Sequence, residues 1–391
     1  MTPARPKLLF WVQHLLGIGH LRRAATLARA LCSAGFDVKV VSGGLPVPGL
    51  DVGTAAFVQL PPTRAVDVYF KVLVDETGKE IDDAWRENRK NRLLEVYDDF
   101  RPDILLTELF PFGRRQLRSE LVPLLEYARS REQRPLIACS VRDILVAPAK
   151  DERMREMLER ARRYYDLVLI HGDPDLVSFD ETFPHMAEIA DLARYTGYVV
   201  DRGAGAAAPA SRTDGVIVSA GGGAVSEPLL RAALAARPLT QLASEPWRVL
   251  VGHSLSDEVY AELRTAAPAG VTVERARPDF TSLLRTASLS LSQGGYNTVM
   301  EVLDAGIRAV IVPYAGGLET EQTLRARRLA ERSVLQVVEE SELTPEAVAA
   351  AVDRAAAGPP ATLAGLDTSG AEVTPRLLRE ALARLRDTPS P

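Results

Sequence analysis

Cysteine is scarce: the 391 residues contain two, Cys32 and Cys139, both in apolar surroundings. Two such residues make no disulfide framework and fit a reducing, cytoplasmic setting. No apolar run reaches the roughly 18 residues that a membrane-spanning helix needs. Basic charge is not in excess either. Lys and Arg number 47 against 52 Asp and Glu, a formal net charge of −5, which argues against a chain built mainly to hold nucleic acid. The apolar start, KLLFWVQHLLGIG, is interrupted by Gln13 and His14, runs straight into arginines and offers no small-residue cleavage site. It reads as a buried first strand rather than a secretory leader. H-E-x-x-H, G-x-S-x-G and zinc-type spacings are all missing, and no G-K-[ST] follows any glycine-rich turn. Asp173-Pro174-Asp175 has the form of a D-x-D metal motif, but such a tripeptide is common in a turn after a strand, and no metal site is expected.

What is present is alternation. The chain is 46% hydrophobic and 25% charged, a globular composition. Short apolar runs at 8–13, 38–42, 56–60, 104–107, 136–140, 167–170 and 195–199 are separated in several places by helical patterns such as 20–34 and 115–131. Continuous apolar strands between helices indicate a parallel sheet covered on both faces. The Ala/Gly/Pro-rich stretch DRGAGAAAPASRTDG then breaks the pattern, and the alternation resumes at 216–219, 248–252, 271–274, 289–291, 309–312 and 334–338. The expectation is two doubly wound, Rossmann-like α/β domains facing a cleft: 1–200, a linker at 201–214, and 215–372. The segment 373–391, with an amphipathic helix at 374–386, would pack back on the first domain. Ligands of such sheets sit beyond the carboxyl ends of the strands. The stretch 68–85, VYFKVLVDETGKEIDDAW, reads as a hairpin around DETGK.

Four constellations lie at those expected strand ends. In GIGHLRRA, Gly17 and Gly19 permit a tight turn, and His20 falls in the first helical turn, where the positive helix end favours a neutral imidazole able to act as a base. The third glycine of a dinucleotide fingerprint is replaced by Arg22. In ILLTELFPFGRR, Glu108 ends a strand and could steady one nitrogen of His20, while Arg114, Arg115 and Arg118 could meet an anionic acceptor. In VIVSAGGGAVSE, Gly221, Gly222 and Gly223 expose backbone N–H groups suited to phosphate. The fourth, SQGGYNTVMEVLDAG, runs from Ser292 through Gly294 and Gly295 into a helix carrying Asn297, Thr298 and Glu301, and a later turn leads to Glu319, Glu321 and Gln322 at a second helix entry.

In this order the motifs resemble the two-domain GT-B glycosyltransferases, and most of all the branch holding the peptidoglycan N-acetylglucosaminyltransferase and the plastid galactolipid synthases. The resemblance implies that Glu301 holds the ribose hydroxyls of a nucleotide and that Gly294 and Gly295 admit its diphosphate. Ser292, Asn297, Thr298, Gly19, Gly221–Gly223 and Arg277 complete the donor site. Glu321 and Gln322 would grip the donor sugar, His20 would be the base, and Glu108 its partner. Gly17, Arg114 and Arg115 are assigned to the acceptor. Gly223 stands where the family usually has serine, so Ser226 or the backbone would supply that contact. Asp201, followed by Arg202, stands where the linker usually has arginine. Arg277 stands in a turn that is usually apolar.

The implied activity is an inverting, metal-independent transfer of a hexose or N-acetylhexosamine from a nucleotide diphosphate sugar, UDP-linked, to an acceptor hydroxyl. No cofactor or nucleic-acid partner is expected, peripheral contact with the inner membrane face is open, and the acceptor and oligomeric state are not specified. A sugar-nucleotide 2-epimerase would instead convert donor alone. A non-catalytic nucleotide-sugar binder would never turn over.

Overall fold

The computed structural model describes residues 5–67, 69–146, 151–202, 212, 214–221, 227–277, 279–317 and 319–387. The chain forms two compact units, 1–199 with 366–391, and 200–365. In the first, β1 (Lys7–Val12), α1 (Gly19–Ser33), β2 (Asp37–Ser42), β3 (Ala56–Gln59), β4 (Thr63–Ala65), β5 (Leu73–Asp75), α2 (Asp83–Phe100), β6 (Ile104–Glu108), α3 (Arg118–Arg129), β7 (Leu136–Arg142), α4 (Asp151–Tyr164), β8 (Leu167–His171) and β9 (Ala193–Tyr195) follow in order. Seven parallel strands are arranged β3-β2-β1-β6-β7-β8-β9. The sequence direction reverses between β1 and β6, so the loops after these neighbouring strands diverge and open a crevice at their carboxyl ends. Leu8, Leu9, Phe10, Trp11 and Val12 of β1 are all fully buried, as a strand covered on both faces requires.

The second unit holds β10 (Val216–Ser219), α5 (Glu227–Ala236), β11 (Trp247–Val251), α6 (Asp257–Ala266), β12 (Val271–Arg275), α7 (Phe280–Thr286), β13 (Leu289–Gln293), α8 (Tyr296–Ala305), β14 (Arg308–Val312), α9 (Glu321–Glu331), β15 (Gln336–Val337) and α10 (Pro345–Ala357). Its parallel order, β12-β11-β10-β13-β14-β15, reverses between β10 and β13. Arg212, from the expected linker, donates to the carbonyls of Leu284, Ala287, Ala305 and Gly306, tying off the ends of α7 and α8. Residues 203–211 and 213 of that linker lie outside the described residues.

The chain returns to the first unit earlier than 373. Tyr198 N–H donates to Asp367 O at 2.8 Å, Asp367 N–H to Asp173 Oδ2 at 2.8 Å, and Gly370 N–H to Tyr198 O at 3.2 Å. A final helix, α11 (Gly370–Asp387), follows, and Leu378 and Leu382 pack with Leu21, Ala24, Leu27 and Leu31 of α1. The same pairing explains why β9 stops at Tyr195 rather than spanning 195–199. Gly197 turns the chain at φ +83°, and Tyr198 bonds to the returning segment instead of a strand.

The hairpin expected around DETGK forms over residues 73–81, where Asp75 N–H donates to Lys79 O at 2.8 Å and Ile81 N–H to Leu73 O at 3.1 Å. β5 pairs antiparallel with β4, upstream of the stretch. The DETGK turn closes on Asp75, whose Oδ1 accepts from Thr77 N–H, Thr77 Oγ1 and Lys79 N–H, with a single bridge from Val74 to Glu80. Asp82 then caps α2 by accepting from Trp85 N–H at 2.8 Å, so Trp85 is helical. Among the described residues no helix is long and apolar enough to cross a membrane.

Candidate active site

In the first unit the reversal between β1 and β6 brings α1 beside the end of β6. His20 is the second residue of α1 and Glu108 the last of β6, and His20 Nδ1 lies 2.9 Å from Glu108 Oε1. Both are buried, at 9% and 1% exposure. A carboxylate accepts only, so Nδ1 carries the proton and Nε2 presents a lone pair. Burial holds the imidazole well below its usual pKa, reinforced by the cations Arg114, Arg142 and Arg23 and by His14. The ring is therefore neutral near pH 7, the form a base requires.

Sequence reasoning did not single out several groups around this pair. Arg23, one helical turn after His20, also donates to Glu108 Oε1. Ser140 Oγ donates to Glu108 Oε2 at 2.6 Å, and His171 Nε2 lies 3.0 Å from Ser140 Oγ. His14 is buried, and burial with the Arg114 charge lowers its pKa to about 4. A signal was available: ILLTE, LIACS and LVLIH are apolar runs that each end in a polar residue, and a polar group at the end of a buried strand lies on the functional edge of the sheet.

Arg114 is drawn in, with Nε donating to Gln13 O at 2.9 Å, and burial beside Arg142 lowers its pKa to about 10. Arg115 is exposed, and Gly17 and Gly19 are exposed in the loop and helix start after β1. A side chain at Gly17 would meet nothing within 4 Å, so that surface is open.

In the second unit, β13 delivers Gly294 and Gly295 to the start of α8. Gly295 is the N-cap of α8 and, as a glycine, offers no side-chain oxygen of its own to the first backbone N–H groups. Asn297 and Thr298 lie half-buried in the first turn, and Glu301 is buried one turn further on. Gly221 follows β10 at φ +67°, a conformation that favours glycine. Gly222, Gly223 and Ser226 lie outside the described residues. Arg277 is held by Asp279 through Nε at 2.8 Å and Nη2 at 2.6 Å.

Two assigned residues turn inward. Ser292 is fully buried and its hydroxyl bonds to Ser290 at 2.7 Å, because the two stand on one face of β13. Glu321 is 1% exposed and accepts from Arg325 Nη2 at 2.8 Å, since positions four apart share a helix face and Arg325 is itself buried against the Tyr296 ring. Glu321 Oε1, at the position expected to meet the donor sugar, is thus engaged in a buried ion pair. Gln322 stays half-buried, with Oε1 accepting from Tyr314 N–H at 3.1 Å. Among the described residues no group of three or more His, Cys, Asp or Glu could hold a metal ion.

The spinosyn rhamnosyltransferase in complex with thymidine diphosphate superposes with a TM-score of 0.59 at 18% identity, covering 97% of this chain and 96% of that one. MurG of Acinetobacter baumannii superposes at 0.57 and 16% identity over 96% and 100%. The chain has the GT-B fold. Residues 216–378, less than half of it, match the family model described as the glycosyltransferase family 28 C-terminal domain. By sequence the chain is 34% identical over 102 residues to the UDP-N-acetylglucosamine–N-acetylmuramyl-(pentapeptide) pyrophosphoryl-undecaprenol N-acetylglucosamine transferase of Acinetobacter baylyi, covering 25% of this chain and 28% of that relative. The GT-B chain is thus related to the peptidoglycan N-acetylglucosaminyltransferase branch, while the match spans little more than a quarter of that relative's length.

Proposed function

We propose that this protein transfers a sugar from a nucleotide diphosphate sugar to an acceptor hydroxyl, with inversion at the anomeric carbon and His20 as the general base. The observation that carries the reading is the buried His20–Glu108 pair at the carboxyl edge of the first sheet, with Nδ1 2.9 Å from Oε1; burial favours the neutral ring, whose Nε2 would take the proton. The hydroxyl oxygen attacks the anomeric carbon, its proton passes to Nε2, and the bond to the diphosphate breaks. Imidazolium forms beside Glu108, which stabilises it as the acid does in other His–carboxylate pairs.

Negative charge growing on the leaving diphosphate is met by the backbone N–H groups at Gly294 and Gly295 and by the positive end of α8, with Gly221–Gly223 as a second cradle and no metal required. Glu301, a turn deeper, accepts from the ribose hydroxyls, and Gln322 contributes to the grip on the donor sugar. UDP is the proposed carrier: the relative's name carries UDP, although one structural neighbour holds thymidine diphosphate. Arg114, with Gly17 and the exposed Arg115, lies on the acceptor side and suits an acceptor bearing an anionic group. The two free cysteines fit a reducing, cytoplasmic compartment. Calorimetric screening of nucleotide diphosphate sugars, followed by product analysis with hydroxyl acceptors, tests the reading. Binding of none, or conversion of donor alone to a new sugar, would refute it.

A further inference from the structure

The hydrogen bonds around Glu108 continue beyond Ser140. Ser140 on β7 is the register partner of Glu108 on β6. His171 on β8 is the partner of Arg142, two residues beyond Ser140 and on the same face of β7. His171 Nδ1 lies 2.8 Å from Thr196 Oγ1, just past the end of β9. Glu108, Ser140, His171 and Thr196 are each at most 1% exposed. In so dry a row the polar atoms must satisfy one another.

Chemistry selects one direction for the row. The Glu108 carboxylate accepts only, so Ser140 O–H points at Oε2. The Ser140 oxygen then accepts Nε2–H of His171, and the bare Nδ1 of His171 accepts the Thr196 hydroxyl. The opposite assignment sends the Thr196 proton to Gly197 O and the Ser140 proton to His171. It would leave two acceptor oxygens 2.6 Å apart at Glu108, which is repulsive.

We propose that Ser140, His171 and Thr196 are positioning residues: a buried donor chain across the ends of β7, β8 and β9 that keeps the Glu108 carboxylate turned toward His20, so that His20 holds its proton on Nδ1 and keeps Nε2 open as a base. The inference rests on the reading of His20 as the base. The chain itself moves no proton. The hydroxyl proton of the acceptor goes to Nε2, and Nδ1–H stays donated to Glu108. The charged and titratable groups facing His20 are Glu108 from β6, Arg23 from its own helix, Arg114 from the loop after β6, Arg142 from the end of β7 and His14 from the loop after β1. His171 faces Arg23 and Glu108, and burial lowers its pKa to about 3, which keeps it neutral.

Nitrogen-15 NMR of histidine-labelled full-length protein, without any sugar, reads both tautomers. The expected result is a proton on Nδ1 of His20 and on Nε2 of His171, both rings neutral from pH 8 to pH 6. Ser140→Ala removes a donor from Glu108, leaving more charge for His20, so His20 should take up a proton about tenfold more readily. His171→Leu should shift it in the same direction, and His171→Gln, which retains a donor toward Ser140, should restore the wild-type titration. A proton on Nδ1 of His171, or an unchanged His20 titration in Ser140→Ala, overturns the proposal. If His171→Leu fails to fold, the wild-type tautomers and Ser140→Ala still decide. Because no sugar is present, failure to transfer sugar counts against the proposed function alone, and wrong tautomers count against the donor chain.

Discussion

The adjacent glycines at the start of α8 allow fold and ligand binding to be separated by one methyl group. Gly295 has φ −61° and ψ 145°, values any residue adopts, and a Cβ there would meet nothing within 4 Å. Alanine is a poorer helix cap than glycine but loses less chain entropy on folding, two opposing effects each below about 1 kcal/mol. Gly295→Ala should therefore melt close to wild type. If a diphosphate approaches the N–H groups here, the methyl occupies its space and removes at least one charge-assisted hydrogen bond, worth about 1.5–3 kcal/mol, or roughly 10- to 150-fold in affinity. Gly294 provides the control. A Cβ there would stand 3.1 Å from Ile311 Cγ2 and 3.2 Å from the Cα of Pro313. Overpacking of this kind costs about 1–3 kcal/mol, so Gly294→Ala should lower Tm by several degrees, at about 2–4 °C per kcal/mol for a unit of this size. The assays are calorimetric titration with UDP and thermal unfolding, run on both variants. UDP affinity in Gly295→Ala equal to wild type would refute the placement of the diphosphate. A melting loss in Gly295→Ala equal to that in Gly294→Ala would refute the steric reasoning.

Other consequences can be checked independently. His20→Ala should abolish transfer while donor binding by calorimetry survives, and Glu108→Gln should slow transfer by about 10⁴, as loss of the acid does in other His–carboxylate pairs; failed donor binding in His20→Ala would remove it as the base. Glu301→Ala should weaken UDP binding about tenfold or more yet have less effect on thymidine diphosphate, whose deoxyribose lacks one hydroxyl, and equal losses would argue against a ribose contact. The pKa values of His14 and His171 are lowered on folding, so the unfolded chain binds more protons below pH 6.5 and stability should fall as pH drops from there toward about 4 and 3. Melting curves between pH 7 and pH 5 should show this slope, reduced in His171→Gln; an unchanged slope would contradict the burial argument. Arg212→Ala should cost the second unit about 1–3 kcal/mol by uncapping α7 and α8, visible in urea unfolding.

Much of this protein is local and was legible as such. Apart from 195–199, where the strand is Ala193–Tyr195, the apolar runs of both sheets lie where period and turn residues put them, because a strand buried on both faces must be continuously apolar. His20 at a helix start and Glu108 at a strand end followed from the same reasoning, as did the glycines before α8. The side chains that face inward were not legible. Ser292 and Glu321 occupy motif positions, but strand alternation and an i,i+4 pair turn them into the core.

The sequence by itself determined the alternating elements, the two-unit plan and the residue types at the strand ends. Only the tertiary structure decided which of those ends are neighbours. His20 and Glu108 are 88 residues apart and meet because β1 lies beside β6. Ser140, His171 and Thr196 join them because β7, β8 and β9 follow across the same sheet. Strand order arises from long-range packing, and hydrophobic period, which is local, carries no record of it.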